Sequence, residues 1–526
     1  MDKKQRYILI TFLLGVFMGA IDAGIVAPAL TAIVQDFGIN FKWSVWVVTI
    51  YTLIYAVSMP IIGKLADLYG RKNLFMIGII LFGIGSLLAG FSSTMAWMMI
   101  ARIIQALGGG GIMPIANAVI GQSFPPEKRG MALGLVGATF GVATIIAPNL
   151  GGFIVDQLNW RWIFFINVPI SIMIIAMALK IPNQVENEKK QLDWLGTMVL
   201  SIIILALMYG LTNLEVNNVV SSILSWKVWP FLLLSVGLIY PFILLEKRAI
   251  DPIITLRYFK DRNIVFTLII SFITGAGMIS MIFVPAFSEV LLGLSGGKGG
   301  YIMTILAVAS GVSAGLGGIL LDKWGAKQVV ILGFALSLIG SLNLAFFANG
   351  WWTLIIGLII SGFGIGFTMG APLNYMILTL TEKEEASVAL ALVSLFRSIG
   401  TTIGPILLAG FISGAATKIP LNMEQNLRER FGENIPTFQW GSEQSGYQQG
   451  GFSLDQAIDM LPAGIPTPIK QQIIEVIQET VKSTLLGGYT KLYIGSSIIF
   501  LIGIILATRL HLLKEERQIE KVERRP

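Results

Sequence analysis

Apolar stretches long enough to cross a lipid bilayer recur from one end of this chain to the other, and that recurrence restricts its fold more than any other feature. The hydrocarbon layer is about 30 Å thick and takes roughly 20 helical residues; inside it each backbone N–H and C=O must find its partner within the segment, so each stretch has to be a helix. About fourteen such stretches can be counted in the 526 residues: six between 7 and 181, a central pair at 194–213 and 227–246, and six between 263 and 510. The overall balance, 55% hydrophobic and 13% charged with a mean hydropathy of +0.77, lies far from that of soluble domains. The expected fold class is an all-α membrane protein, multi-pass in the cell membrane.

The first stretch, 7–34, follows the basic "MDKKQR" and so begins like a secretory leader. Its apolar part, about 28 residues, is too long for a leader's core, and we read it as a retained first span. An even number of spans puts both chain ends on one side. Lys and Arg number roughly 25 on that side and roughly 10 on the other, six of the latter in one long loop, which places both termini in the cytoplasm. The net charge of +7 calls for no nucleic acid, because the basic tail 511–526, "HLLKEERQIEKVERRP", reads as an anchor against anionic lipid.

The available chemistry is narrow. With no cysteine and one histidine, His511, the chain has no disulfide framework, no thiolate metal site and no clustered ligands, so neither a metal nor another cofactor is expected and little is left for catalysis. The run "GGGG" at 108–111 follows no strand, precedes no Gly-Lys-Ser/Thr and lies within a span, so it is not a phosphate loop. With no nucleotide motif, energy for transport must come from an ion gradient or from the substrate itself.

Two short matches reveal an internal repeat. "GKLADLYGRK" (63–72) and "GILLDKWGAK" (318–327) place Gly63, Asp67, Gly70 and Lys72 against Gly318, Asp322, Gly325 and Lys327 at one offset, and "APNLGGF" (147–153) is echoed by "GPILLAGF" (404–411). A duplicated six-helix unit is the parallel-repeat plan of many secondary transporters. The chain then divides into 1–182, an N-terminal six-helix bundle; 183–262, linkers with two extra spans; and 263–526, a C-terminal six-helix bundle that carries the long outer loop 414–487 and the basic tail.

Several polar residues fall inside spans. Asp22, in "MGAIDAGIVAP", is a carboxylate deep in hydrocarbon, and such groups face the bundle interior, pair or titrate. Arg102 in the fourth span is the obvious partner. The two are either a proton-exchange site or a buried pair that only fixes how the first and fourth spans pack. Glu289, late in the ninth span, is either an outer cation or proton site or a carboxylate at headgroup depth. Arg397, mid-span in "LFRSIGTTIGP", has no acid within a turn on its own helix; it bridges the halves or offers the cavity an anion site. Tyr51, Gln105, Asn117 and Asn374 are cavity candidates, or simply bonded between helices. In the loop 63–72, Asp67 can accept hydrogen bonds at a helix N-terminus and Arg71 can pair with a carboxylate, so Gly63, Asp67, Gly70 and Arg71 can form a cytoplasmic latch as well as a positive-inside anchor. The fifth span carries Gly137, Gly141, Gly151 and Gly152 with Pro148, which suits close packing and a bend. In the outer loop, "PIKQQIIEVIQETVKSTLL" puts Ile469, Ile473, Val476 or Ile477, Val481 and Leu485 on one helical face, fit to cap the outer mouth, meet lipid or a partner, or pack on its own loop.

Nearly the whole chain resembles the fourteen-span drug:proton antiporter family of the major facilitator superfamily. The resemblance rests on "WVVTIYTL" leading into "GKLADLYGRKNLF", on "RIIQALGGGG", on "GATFGVATIIAPNLGG" and, most specifically, on "WRWIFFINVPIS" (160–171). Ala106 and Ala147 stand where the family usually has glycine, and Gly24 and Ala27 where its first span usually has Thr and Asn. The resemblance implies a major facilitator fold of two six-helix bundles with two inserted helices, alternating access, a latch made and broken at 63–72, and a fifth span that is the antiporter signature. It also implies roles for Asp22 and Arg102 near proton coupling. Multidrug efflux by proton antiport, with lipophilic cationic or neutral compounds as cargo, is the leading expectation. Some drug exporters of this family carry acids where Arg397 stands, so dications are less expected. The alternatives are an exporter of a lipid or cell-envelope precursor, which suits Arg397 and the outer loop, and a membrane ligand sensor without transport.

Overall fold

The structure, a computed structural model, describes residues 3–39, 43, 45–181, 192–215, 219–294, 299–431 and 467–510. Among these residues thirteen helices are long and apolar enough to cross a membrane, and a shorter apolar helix, Trp162–Ala178, follows the fifth of them. The chain runs through α1 (Lys3–Ile25), α2 (Leu30–Phe37), α3 (Val45–Tyr69), α4 (Arg71–Gly90), α5 (Met95–Gly109), α6 (Ile112–Ser123), α7 (Pro126–Gln157), α8 (Trp162–Phe165) and α9 (Asn167–Ala178). A central group follows, α10 (Trp194–Thr212), α11 (Val219–Ile223) and α12 (Trp229–Arg248). The second half is α13 (Arg262–Met278), α14 (Val284–Leu292), α15 (Gly299–Trp324), α16 (Ala326–Phe346), α17 (Trp351–Met369), α18 (Pro372–Leu380), α19 (Ala386–Ala416), α20 (Ile419–Phe431) and α21 (Thr467–Thr508).

Several single stretches in the sequence are broken crossings in the fold. The first crossing stops at Ile25, passes through a 3₁₀ turn at Ala27–Ala29 containing Pro28, and resumes as α2. Its counterpart stops at Met278, passes through Ile279–Phe283, and resumes with Pro285 at the start of α14. The fourth crossing of each set breaks too, at Gly110 and Gly111 and at Gly370 before Pro372. Proline removes a backbone donor and opens the hydrogen-bond ladder where a neighbouring helix can re-satisfy it. Pro148 and Pro405 lie inside α7 and α19, the fifth helices of the two sets. The duplication heard in two loops is therefore repeated in where the helices break. At its loops, Gly70 and Gly325 take φ of +94° and +87°, a conformation that glycine adopts without strain.

Both described chain ends lie at one end of the bundle, which we call proximal. Gln5 donates to the Ser123 carbonyl at 3.2 Å and the Lys327 ammonium to the Leu510 carbonyl at 2.7 Å, tying the first helix and the last to neighbouring turns there. In the first half α1 packs on α7 and α4 on α5 and α9; in the second α13 packs on α19 and α16 on α17 and α21. The halves meet where α7 lies along α15 and where α3 and α6 lie along α19. The α7–α15 seam is a backbone approach: a Cβ on Gly318 would stand 2.4 Å from the Gly130 carbonyl oxygen, and one on Gly134 would stand 2.8 Å from that of Ala314. Small residues permit this where van der Waals contact, rather than a hydrophobic force, draws helices together. Of the inserted pair, α10 rests on α3 and on α12, while α12 has few other neighbours and is mostly exposed at the bundle's flank.

The amphipathic stretch of the outer loop is not a separate cap. It is the first part of α21, 42 residues long and so about 63 Å, roughly twice a bilayer's hydrocarbon thickness. Its apolar face, Ile473, Val476 and Ile477, packs on Met423 and Leu427 of α20, with Val481 at the margin, while Ile469 is 42% exposed. The Asn422 and Asn426 amides donate to the Thr484 and Thr480 hydroxyls across the same hairpin. This part of loop 414–487 thus packs on its own loop. Residues 432–466 and the tail 511–526, with His511, lie outside the described residues.

Packing at this distance gives a test within one half. A Cβ on Gly275 would stand 2.2 Å from the Arg397 carbonyl oxygen, whereas one on Gly237 meets nothing within 4 Å. Gly275→Ala is expected to lower stability by about 1–3 kcal/mol and Gly237→Ala to leave it level or raise it by less than about 1 kcal/mol. Melting curves in detergent check this, and equal curves for Gly275→Ala and the parent chain would contradict the packing.

Candidate functional site

Asp22 sits in the last turn of α1, just before the break, and is fully buried. Arg102, on α5, is 1% exposed and donates from Nη1 to Asp22 Oδ2 at 2.9 Å. Neither charge stands alone. Asp22 Oδ1 also accepts from Gln105 Nε2 at 2.7 Å and from Asn167 Nδ2 at 3.2 Å. Arg102 reaches Gln105 Oε1 at 2.6 Å and, through Nε, the Val47 carbonyl at 3.2 Å, and its guanidinium lies 3.9 Å over the Tyr51 ring. Ser86 accepts from both Gln105 and Asn167. Five elements, α1, α3, α4, α5 and α9, join in one network around this carboxylate.

Removing one ion of such a pair strands the other in a low-dielectric site, while the polar cage around it is what lets two charges persist there at all. The carboxylate is the common acceptor of three donors on two helices, so its charge and the packing of α1 against α5 and α9 are linked.

The loop 63–72 forms a clasp between halves. Asp67, with its side chain 5% exposed, accepts from the Ser387 amide at 3.0 Å and the Val388 amide at 3.0 Å, the free N–H groups at the start of α19. Arg71 pairs with Asp67 at 2.9 Å and donates to the Ser387 hydroxyl, to Gln122 and to the Lys383 carbonyl. Gly63 admits the Ser387 carbonyl, which would lie 2.9 Å from a Cβ there, and Gly70 makes the turn. The second half answers in kind: Asp322 accepts from the Gly130 and Met131 amides near the start of α7 at 2.9 and 3.1 Å. Beside it, Arg257 pairs with Glu382, and Thr255 and Tyr258 donate to Glu385. Burial, then the bond to Glu385, push the Tyr258 phenol's pKa above its ordinary value, so it stays a donor. The bonds between the halves, and those from the linker to the second half, gather at the proximal end.

The other candidates scatter. Tyr51 is buried beside Asp22 with its hydroxyl short of a well-formed hydrogen bond, and its ring stacks on that of Tyr55 at 5.7 Å. Asn117 on α6 and Asn374 on α18 are buried on corresponding helices of the two halves, Asn117 with Oδ1 unpartnered. Arg397 is 8% exposed, and its Nε and Nη2 are buried without an acceptor. Glu289 is half-buried at the opposite end from the clasp, where it accepts from the Gly299 amide at 3.1 Å and so caps α15; it does not join the Asp22 network. Along α7, Gly137 faces Gly370 and Gly141 faces Gly311 of the other half, Gly151 faces the Ile25 carbonyl, Pro148 lies by Gly24, and Gly152 meets nothing within 4 Å.

Two sets of residues escaped sequence reasoning. Asn167 lies in the quoted "FINVP" and Ser86 is one serine in an apolar helix; neither stands out until folding brings them to Asp22. The second set is Lys64, Asp193 and Glu246, where α3 meets the inserted pair. Glu246 is 3% exposed and accepts from the Ile254 amide, while its Oε1 and Asp193 Oδ2 are buried without partners above Gly196, whose Cβ would meet both. An acid at the end of a span, 53 residues from another, gave no spacing signal.

The profile of the Major Facilitator Superfamily matches residues 12–297 and 265–417 of the chain. The chain is 36% identical over 517 residues to the uncharacterized MFS-type transporter YfiU of Bacillus subtilis (strain 168), covering 96% of each. It is 33% identical over 411 residues to Multidrug resistance protein 3 of the same organism, covering 76% of this chain and 78% of that one. Among solved structures it is similar in fold to a bacterial homolog of the human lysosomal transporter Spinster in an inward-facing and occupied conformation, with a TM-score of 0.53 at 14% identity over 97% of this chain and 98% of the other.

Two outcomes follow from the geometry. Asp22→Ala should destabilise the protein by about 3–5 kcal/mol, because Arg102 is left buried and uncompensated, and Asp22→Ala combined with Arg102→Leu should recover much of that loss. Detergent melting curves of the single and double variants read the coupling, and strict additivity would refute it. For the clasp, the chain has no native cysteine, so a cysteine pair placed across α3 and α19 reports its closure. Asp67→Ala with Asp322→Ala is expected to lower the cross-linking yield, and an unchanged yield would deny the clasp its part in holding the halves.

Proposed function

The chain belongs to the major facilitator superfamily and is a multi-pass protein of the plasma membrane, and from that premise we propose that it is a proton-coupled antiporter that exports lipophilic small molecules by alternating access. The observation that carries the reading is the Asp22 network: a buried carboxylate with three donors on two helices, α5 and α9, next to the break in α1. A proton arriving at Asp22 discharges it, frees Arg102, Gln105 and Asn167 to rearrange, and so biases how α1 sits against α5 and α9. The reading divides the molecule at 182 and 262 into two six-helix bundles and the inserted pair. It sets the proximal end in the cytoplasm, following the Lys/Arg bias, so the clasp at Asp67, Arg71 and Asp322 is the inner gate in its closed state.

In the cycle, a proton enters from outside to Asp22, the clasp opens, cargo from the inner leaflet or cytoplasm displaces the proton, and the clasp closes behind the cargo. The energetics suffice. A proton-motive force of about 150 to 200 mV supplies about 3.5 to 4.6 kcal/mol per proton, enough for a cargo gradient of a few hundred- to about two thousand-fold. Similarity to a multidrug resistance protein supports export of lipophilic cargo.

The test uses inside-out vesicles with an acidified lumen and a pH-sensitive dye, carrying the parent chain or Asp22→Asn at matched abundance. Lipophilic compounds added outside are expected to release lumenal protons only with the parent chain. Binding of the same compounds without proton release would point instead to a sensor, and proton release unchanged in Asp22→Asn would remove Asp22 from the coupling.

A further inference from the structure

Arg397 carries a full positive charge in the middle of a membrane-spanning helix, eleven residues beyond the start of α19 at Ala386. It is 8% exposed, Nε and Nη2 are buried with no acceptor, and among the described residues no carboxylate lies within ion-pair distance of it. Asp22 cannot serve, since its oxygens already take Arg102, Gln105 and Asn167. From the first half, the phenol of Tyr55 lies within electrostatic reach of the guanidinium. An uncompensated charge in hydrocarbon is costly enough that it pairs or serves a ligand.

α3 and α6 both pack against α19; α3 carries the buried phenols of Tyr51 and Tyr55, and α6 carries a buried polar atom without a partner, Asn117 Oδ1. Tyr55 stacks on Tyr51, whose other face holds Arg102, so an aromatic ladder runs from Arg397 toward the Asp22 pair. A cation of fixed, forked geometry beside stacked rings is suited to a carboxylate carried on an apolar, ring-bearing body.

We infer that Arg397 receives an acidic group of the cargo, so that the substrates are lipophilic carboxylates or zwitterions rather than the cationic or neutral compounds expected from the sequence. The inference rests on the transport reading and deepens it. The bound acid supplies the counter-charge that the protein withholds, so binding is strongest when α3, α6 and α19 close around it. A cationic compound without an acid meets Arg397 as a like charge and is rejected.

The test compares pairs that differ only by a blocked acid: a rhodamine with its carboxylate free and the methyl ester of the same rhodamine, and a naphthyl carboxylic acid and its methyl ester. Binding to purified protein in nanodiscs and uptake into inside-out vesicles are both measured. The parent chain is expected to favour each acid over its ester by roughly tenfold to a hundredfold, the range that one charge-assisted pair supports. In Arg397→Gln the ratio should collapse toward one, and in Arg397→Lys it should fall partway, with both variants melting near the parent chain. Equal binding of acid and ester by the parent chain, binding of neither, or an acid preference that survives Arg397→Gln would overturn the inference. Failure of the antiport reading is separate, because it appears as acid uptake that ignores the proton gradient while the acid preference remains.

Discussion

An ion pair placed where water does not reach has to be caged by its own protein, and much of this fold can be traced to caging one. Asp22 and Arg102 come from crossings one and four, and neither helix alone can satisfy the other's charge. Gln105, Asn167 and Ser86 complete the cage from three further turns, and Tyr51 covers the guanidinium with its ring. In a low-dielectric interior each of these polar contacts gains strength, and each would be a liability if left open. The same physics explains why α1 ends where it does. The break at Val26 to Ala29 follows the last buried turn, so the carboxylate lies at a place where the backbone is already free to bend.

The clasp at the proximal end uses weaker materials to a different purpose. Asp67 and Asp322 each accept from backbone amides near the start of a helix in the opposite half. Such contacts are directional but few, and they lie near the membrane surface, where water can replace them at little cost. Bonds of this kind are specific and exchangeable, as the proposed gate would require. The buried pair is built the opposite way, with both charges and their polar neighbours sealed from water. The glycine seam between α7 and α15 serves both, because two backbones in contact without interlocking side chains can rock against each other.

How much of this was legible depended on what kind of signal each part leaves. Crossings announce themselves by apolar length, so about fourteen were countable, the short Trp162–Ala178 included. Asp22, Arg102 and Arg397 stood out because a charge in such a stretch has no ordinary reason to be there. Asn167 and Ser86 did not, because single amides and hydroxyls are common in membrane helices and only the fold brings them to one carboxylate. The acceptor in Asp67 was readable, but its donors are main-chain amides of Ser387 and Val388, which every residue but proline owns. Breaks at Pro28, Pro285 and Pro372 left their prolines in plain view, yet apolar length ran through them and each pair of helices read as one. Length misled at α21 in the opposite sense: the amphipathic stretch of the outer loop and the last span read as two segments where the helix is continuous.

The inserted pair and the two arginines belong to one question, which is how charge is arranged where the halves meet. Arg102 is fully compensated and Arg397 is not, although both are buried within the bundle. If both were structural, the same selection against buried charge would have neutralised both. The asymmetry fits a division of labour in which the first half holds its own counter-charge, removable by a proton, and the second half waits for one to arrive with the cargo. Tyr51 and Tyr55 lie between them as stacked rings. Cargo seated on Arg397 and a proton seated on Asp22 would then press on opposite faces of the same aromatic pair, which is a physical basis for each to sense the other without sharing a site.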